Sequence, residues 1–563
     1  MELRQNPRNL LMATNLPWLR SQYLSLGLFT GIASTAAAAE VITVVPINVD
    51  ATAESATSTD SSLGAVTLET RDRRAQQGQT GDAAELLKES PGVTTAANGG
   101  ISSFPVVHGM SDDRLRIQVD GVEYATACPN HMNSPLSYAE PGSIATIRVF
   151  AGVTPVSVGG DSIGGTIQII PVDPAFAGSG KPYLFRGRFG SFYRSNGNAY
   201  GYQLRAFAAN HWAHLSYSES RSQSDNYVAG SGFKPLAAGR EGALPIAGDV
   251  VASSAYRGAL NRSLNLALRE GGHLLQFELS RQTVDFEGFP NQRMDMTKND
   301  NRVGVLRYRG QFEWGDLHVR AFYQATDHEM DMGPDRYSYG TGMPMVTEGR
   351  NRGASLQANV LLTESNTFRA GADYQHYSLF DWWPPVGATG SMAPNDFWNI
   401  DYGRRQKIDA FAEWEAAWSR SWGTLVGVRS DNISTDAAAV QGYNNSFSGV
   451  WVRDALAFNG QPRQRTDRNW DVTALAHYAP RTDLGYTLGF ARKSRAPNLY
   501  HRYAWSANAM AALMNNFSGD GNGYIGNIDL EPEVAHTISV TGRWHDKRSQ
   551  RWELTFTEYY TYV

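Results

Sequence analysis

One cysteine, Cys128, stands among 563 residues. No internal disulfide can form, and no C-x-x-C-H haem attachment is available. Charged residues make up 19% of the chain, below the roughly 25% of typical soluble domains. The net charge is −5, so no basic surplus points to nucleic acid. After Glu40 no run of 18 apolar residues occurs, which excludes a membrane-spanning helix from the chain beyond that point. No nucleophile and base share a recognisable local context, so an enzyme has no support. "GGDSIGGT" approaches a phosphate-binding loop, but Gly165 occupies the place of its lysine.

What the chain does hold is glycine (55 residues), 11% aromatics and alternation. Its length exceeds the roughly 250–300 residues at which one soluble core stops growing. It therefore needs several domains, or a fold that grows by repetition. The first residues carry Arg4, Arg8 and Arg20, then an apolar run, then Ala37-Ala38-Ala39. That order predicts a signal peptide over 1–39, cleaved before Glu40, and hence export. Downstream, Ile408, Ala410, Ala412 and Trp414 alternate with Lys407, Asp409, Glu413 and Glu415. Leu275, Phe277 and Leu279 alternate with Gln276, Glu278 and Ser280. Period two with one apolar face marks half-buried strands. In an exported chain with aromatic strand ends it predicts an outer-membrane barrel, apolar outside and polar inside, in contact with outer-membrane lipids. The rival is a soluble β-sandwich or propeller array, and no 40–50-residue repeat supports a propeller.

Three regions follow the leader. Residues 40–80, rich in Ala, Ser, Thr, Gln and Asp, predict a flexible segment. Residues 81–173 predict a compact α+β domain: a short helix in "DAAELLKESPGV", a strand in "RLRIQVDGV", and short strands separated by glycines after it. Residues 181–563 carry the alternating strands. Their connections are short on one side and long on the other, as in "NNSFSGVWVRDALAFNGQPRQRTDR" (444–468), predicted as one long loop.

Soft donors cluster. "CPNHM" supplies Cys128, His131 and Met132; "RMDM" Met294 and Met296; "DHEMDM" His328, Met330 and Met332; "GMPM" Met343 and Met345. Residues two apart on a strand share a face. In 317–325 the odd positions are apolar. If that strand continues, the even-numbered His328, Met330 and Met332 point into the lumen. Lumenal methionines can serve as packing, since Met fills irregular gaps. Clustered with histidine and the lone thiol of an exported chain, they suggest a soft-metal site, with copper, above all Cu(I), favoured over zinc. Pro129 at a first helical position would place Cys128 and Met132 on one face of a helical turn.

"VVHGMSDDRLRIQVDGV" (106–122), "EPGSIATIRVFAGVTPVSVGGDSIGGTIQI" (140–169), "RAPNLY" (495–500) and "GNIDLEPE" (526–533) resemble, in this order, the plug and barrel motifs of TonB-dependent outer-membrane receptors. His108 replaces the usual arginine of the first. The resemblance implies an all-β transmembrane barrel, 22-stranded in the family, with the N-terminal α+β plug inside it. It also implies residence in the Gram-negative outer membrane and energy delivered by TonB. The TonB-contacting segment is best matched by "AVTLET", Ala65 to Thr70, expected to be mobile; "EVITVV" (40–45) is second. Since about 30 residues follow the last motif, the last strands are expected to be missing from this chain. "CPNHM" and "HEM" resemble the copper receptors of the family. That resemblance implies Cys128 and Met132 from the plug, and His328 and Met330 from the barrel, as ligands of a transported copper ion; His131 is a weaker candidate. The resulting expectation is a copper importer. A receptor for a siderophore or haem, using loop aromatics such as "FDWWPP", is the alternative. A docking or adhesion barrel without transport is a third reading.

Overall fold

The computed structural model describes residues 65–69, 80–88, 90–232, 249–332, 342–445, 449–516, 522–546 and 551–563. The expected leader 1–39 and the second TonB-contact candidate 40–45 lie outside these residues. No helix among those described is long and apolar enough to cross a membrane.

The plug is built on a five-stranded sheet. In spatial order its strands are Val66–Glu69, Ile144–Ala151, Gly165–Pro171, Leu115–Val119 and Val122–Glu123. Leu115–Val119 and Gly165–Pro171 run parallel; the other neighbours are antiparallel. A 3-10 helix, Ala83–Leu87, takes the place of the expected helix. Asp82 caps it, accepting from Ala84 N at 3.0 Å, and also ties down Ser103 N at 2.9 Å. Leu86, Leu87, Leu136, Ile147 and Ile167 form the plug core, each almost fully buried.

Of the segment 65–70, the described residues 65–69 depart from the expected mobility. Val66–Glu69 is the edge strand of the plug sheet, paired from Val66↔Val149 to Glu69↔Thr146. Leu68 is buried in the plug core. The reason is its alternation: Val66 and Leu68 share the face that meets this core, and the paired edge satisfies the backbone. The compact plug thus includes residues upstream of the expected start at 81.

Among the described residues, sixteen strands, from Leu184–Arg194 to Glu553–Tyr562, form one antiparallel sheet that supplies the barrel wall. Most pair with their sequence neighbours; the short strand Phe286–Glu287 pairs at the rim. Leu264, Leu266, Leu275, Phe277 and Leu279 are exposed on the outer face. Gln276, Gln282, Asn301 and Gln324, on the other parity, are buried inward. Short turns such as 271–272 and 313–314 close one end of the wall, and long connections the other. The expected long loop 444–468 is not structureless: it contains the helix Val450–Asn459. Trp451, Ala455 and Phe458, spaced four and three apart, give that helix a buried face.

The plug is fastened inside the wall by polar contacts. Gln324 Nε2 donates to Ala125 O (2.9 Å), and its Oε1 accepts from Ala125 N (3.0 Å). Lys407 Nζ reaches Glu123 Oε2 at 2.8 Å, and Thr473 Oγ1 donates to Thr154 O at 2.6 Å. Arg307 pairs with Asp120, and Arg405 with Asp161. Arg429, fully buried, meets Asp373, Asp409 and Asp431 at 2.5–2.9 Å and donates to Val156 O at 3.2 Å.

Candidate functional site

Cys128 to Met132 forms a tight turn rather than the expected helical turn. His131 N donates to Cys128 O at 3.1 Å, and Met132 N donates to Cys128 Sγ at 3.3 Å. His131 has φ 52°, a left-handed conformation that ends any helix there. The turn still leaves both sulfur residues buried, Cys128 2% exposed and Met132 0%. It sends His131 elsewhere: Nδ1 lies 2.8 Å from Asp112 Oδ2, and the ring meets Tyr500 edge-on. His131, Asp112 and Asp113 carry their ligand atoms within 4.8 Å of one another. Burial pulls the His131 pKa down, but Asp112 and Asp113 outweigh it and push it up to about 9.

The barrel supplies the facing half. His328, Met330 and Met332 lie on the buried, lumenal parity of the strand Gly315–Met332. Cys128 Sγ and Met330 Sδ are 3.7 Å apart. Cys128, Met132 and Met330 belong to one apolar cluster with Met294, Met296, Met332, Met343 and Met345. The register explains that cluster: Met296 pairs with Met330 and Met330 with Met345, while Met294 pairs with Met332. Three strands thus bring scattered methionines into adjacent rows beside the thiol. Met sequence spacing marked the face of each strand, but not which methionines are cross-strand neighbours.

His328 is 2% exposed. Its Nδ1 lies 3.2 Å from Asn299 Oδ1, its register partner. Asn299 Nδ2 is in turn directed to Gln282 Oε1 at 3.5 Å. That amide orientation makes Nδ1 the donor and leaves Nε2 with its lone pair. Nε2 is buried and has no hydrogen-bond partner among the described residues. An unpaired buried acceptor is costly in a structural role.

Burial pushes the Cys128 thiol up to about 11, against the pull of backbone N–H groups of Asn133, Met132 and Asn130 directed to it. The sulfur sits in a pocket that resists a bare thiolate yet supplies donors for one. A metal cation would resolve that conflict.

The outer loops cover this site. Asn130 Nδ2 donates to Met514 O at 2.6 Å, which joins the plug turn to the loop helix Ala509–Met514. Trp383, fully buried, stacks on Phe397 at 4.4 Å, and Phe397 stacks on Trp505 at 4.9 Å. The second Trp of "FDWWPP" is therefore part of the cover's core. Nothing in local sequence marked Asn299 or Met514 as neighbours of the site, because each contact joins distant segments.

This architecture has relatives. Residues 58–166 match the TonB-dependent receptor plug domain, and residues 251–563 match the TonB-dependent receptor-like β-barrel. The chain belongs to the TonB-dependent receptors. Such receptors are transporters of the outer membrane, not enzymes, and TonB is their partner. Among solved structures, the copper transporter OprC superposes with a TM-score of 0.69 at 19% identity, over 86% of this chain and 71% of that one. The FrpB iron transporter from Neisseria meningitidis gives 0.64 at 16% identity, over 88% and 72%. The Serratia marcescens hemophore receptor HasR, in complex with its hemophore HasA and heme, gives 0.64 at 15%, over 88% and 72%. A search of curated protein sequences gives no match. These likenesses share a fold across different cargoes, so the cargo of this receptor has to be argued from its own side chains.

Proposed function

We propose that this receptor imports copper, bound as Cu(I) by Cys128 and Met132 of the plug and His328 and Met330 of the barrel. The observation that carries the reading is the 3.7 Å approach of Cys128 Sγ to Met330 Sδ inside a buried methionine cluster. Two sulfurs bound at about 2.3 Å to one tetrahedral ion lie about 3.8 Å apart. The unpartnered Nε2 of His328 supplies a nitrogen donor. Thiolate and thioether together suit Cu(I) and disfavour hard cations. The likeness to a copper transporter agrees with this choice. The buried Trp383 weighs against a chelate-binding surface at "FDWWPP".

Because the ligands come from both plug and barrel, the ion would tie the two together while it is bound. Release then requires the plug to move, which is what TonB energy supplies. Since Leu68 is held in the plug core, the contact with TonB falls to 40–45 rather than 65–70.

The test is metal content per chain of purified receptor after equal exposure to copper and zinc, for the parent and Cys128→Ala. About one copper per parent chain, little zinc, and sharply reduced copper in the variant are expected. Equal zinc and copper in the parent, or full copper in the variant, would refute the site.

A further inference from the structure

A cavity of about 120 Å³ lies between plug and barrel on the side of the strands Ala213–Ser224 and His273–Val284. That volume accommodates several waters. Its wall can be followed along one strand: Gln276, Glu278, Ser280 and Gln282 are successive inward positions. Six residues of strand rise by about 20 Å. The lower end lies next to the short turn 271–272, and His214, beside the short turn that precedes its own strand, lines the same cavity. Short turns belong to the periplasmic side of such barrels.

The upper end reaches the candidate metal site. Gln282 pairs in register with Asn301, and both line the cavity. Asn301 is two residues from Asn299, the partner of His328. Between cavity and sulfur stands Tyr138. It lines the cavity, is itself buried, and interacts electrostatically with Cys128. Its hydroxyl is held by Asn299 and Thr326 and accepts from Asn133 Nδ2 at 3.2 Å. It ends the 3-10 turn Pro135–Tyr138, which directly follows the ligand-bearing segment.

The wall is open because it is lined by small hydroxyl side chains: Ser216, Ser218, Ser263 and Ser280. Ser218 and Ser263 meet across two strands at 2.7 Å. Gln276 Oε1, in a residue 4% exposed, faces this polar space without a partner among the described residues, as an atom solvated by water would. Acidic and basic groups both line it, among them Glu140, Glu278, Arg205 and Arg307. Such a mixed surface suits a hydrated passage better than a second tight site.

We infer that this serine-lined cavity is the route by which cargo leaves the Cys128 site toward the periplasm, with Tyr138 as the partition between them. The inference rests on the proposed function for the identity of the cargo, but not for the existence of the path. Displacement of the Pro135–Tyr138 turn would withdraw the ring and open the soft site to water on the periplasmic side. The same displacement would pull at Asn299 and so at His328, coupling release to opening.

The lone thiol provides a reporter. Purified full-length receptor is treated with a cationic methanethiosulfonate, and modification of Cys128 is followed by mass. The parent is expected to react slowly, and Tyr138→Ala at least tenfold faster. Adding Ser263→Trp to Tyr138→Ala should return the rate toward that of the parent. Ser355→Trp, which fills a different cavity beside Arg320, should not. In cells, Ser263→Trp alone should bind copper as the parent does but lower uptake at least fivefold. Labelling of Tyr138→Ala that Ser263→Trp fails to slow, or parental uptake by Ser263→Trp, would overturn the route. The labelling arm contains no metal, so it decides the passage even if metal analysis rejects copper; the uptake arm still decides it if Tyr138→Ala does not fold.

Discussion

Copper binding by this receptor should release one proton and depend on pH through Cys128. Burial holds the thiol up to about 11, and a metal takes the thiolate. At pH 7 the proton therefore opposes binding by four pH units, a factor of about 10⁴, or about 5.5 kcal/mol at 1.36 kcal/mol per unit. Each unit of pH gained below 11 returns a factor of ten. The apparent Cu(I) affinity of the parent should rise about tenfold per unit between pH 6 and 8. Cys128→Ala should abolish that slope and cost at least 100-fold in affinity at pH 7, since the other three ligands are neutral donors. Its effect on the fold should be small. The variant leaves Met132 N without its sulfur acceptor, worth about 1 kcal/mol, and empties little volume. The assay is competition against a Cu(I) chelator of known affinity at several pH values, beside a thermal melt of each protein. A flat pH profile in the parent, or a variant within tenfold of it, would refute the reasoning.

Arg429→Leu would leave the buried Asp409 and Asp431, and the part-exposed Asp373, around an apolar side chain. Stability should fall by about 3–5 kcal/mol, read as a lowered melting temperature; a melt like the parent's would show that the carboxylates are relieved by another group. His131 has its pKa raised from 6.5 to about 9 when folded. Its contribution, about 3 kcal/mol by linkage, is fully present below pH 6.5 and lost as pH rises through 9. Amide protection of the turn around Cys128–Asn133 should fall over that interval in the parent, and His131→Gln should remove the dependence; an unchanged profile in the variant would count against the pairing with Asp112 and Asp113. Leu68→Ala should destabilise the plug by about 2–3 kcal/mol, seen as faster exchange over 144–151. No change there would mean that the edge strand is already loose.

Much of the barrel was readable because period-two alternation leaves a direct trace in sequence. Leu275, Phe277 and Leu279 face outward, and Gln276 faces in, as their parity requires. Parity likewise placed His328 and Met330 in the lumen. The helix Val450–Asn459 was missed because it lies in a segment whose Asn, Gly and Pro content reads as loop; its buried face is visible only once Phe397 and Tyr503 are known to be near. The pairing of Val66–Glu69 was hidden for a related reason. A short alternating strand looks the same whether it waits for a partner protein or already lies on the plug edge, and only the pairing with 144–151 distinguishes them.

The site shows where such reading stops. Local sequence could state which atoms are soft donors and which face of a strand they occupy. It could not state register, and register is what turns Met296, Met330 and Met345 into a row. Nor could it give the tautomer of His328, which follows from Asn299 and Gln282 on two other strands. Gln282 lines the serine-lined cavity and Asn299 holds Tyr138, which lines it too, so one amide network orients the proposed ligand His328 and adjoins the space behind it. A change at Asn299 should therefore disturb binding and release together, whereas a change at Met132 should disturb binding alone. That difference follows from where Asn299 sits in the strand register, and it would separate a proposed ligand from a residue that also joins the site to the proposed exit.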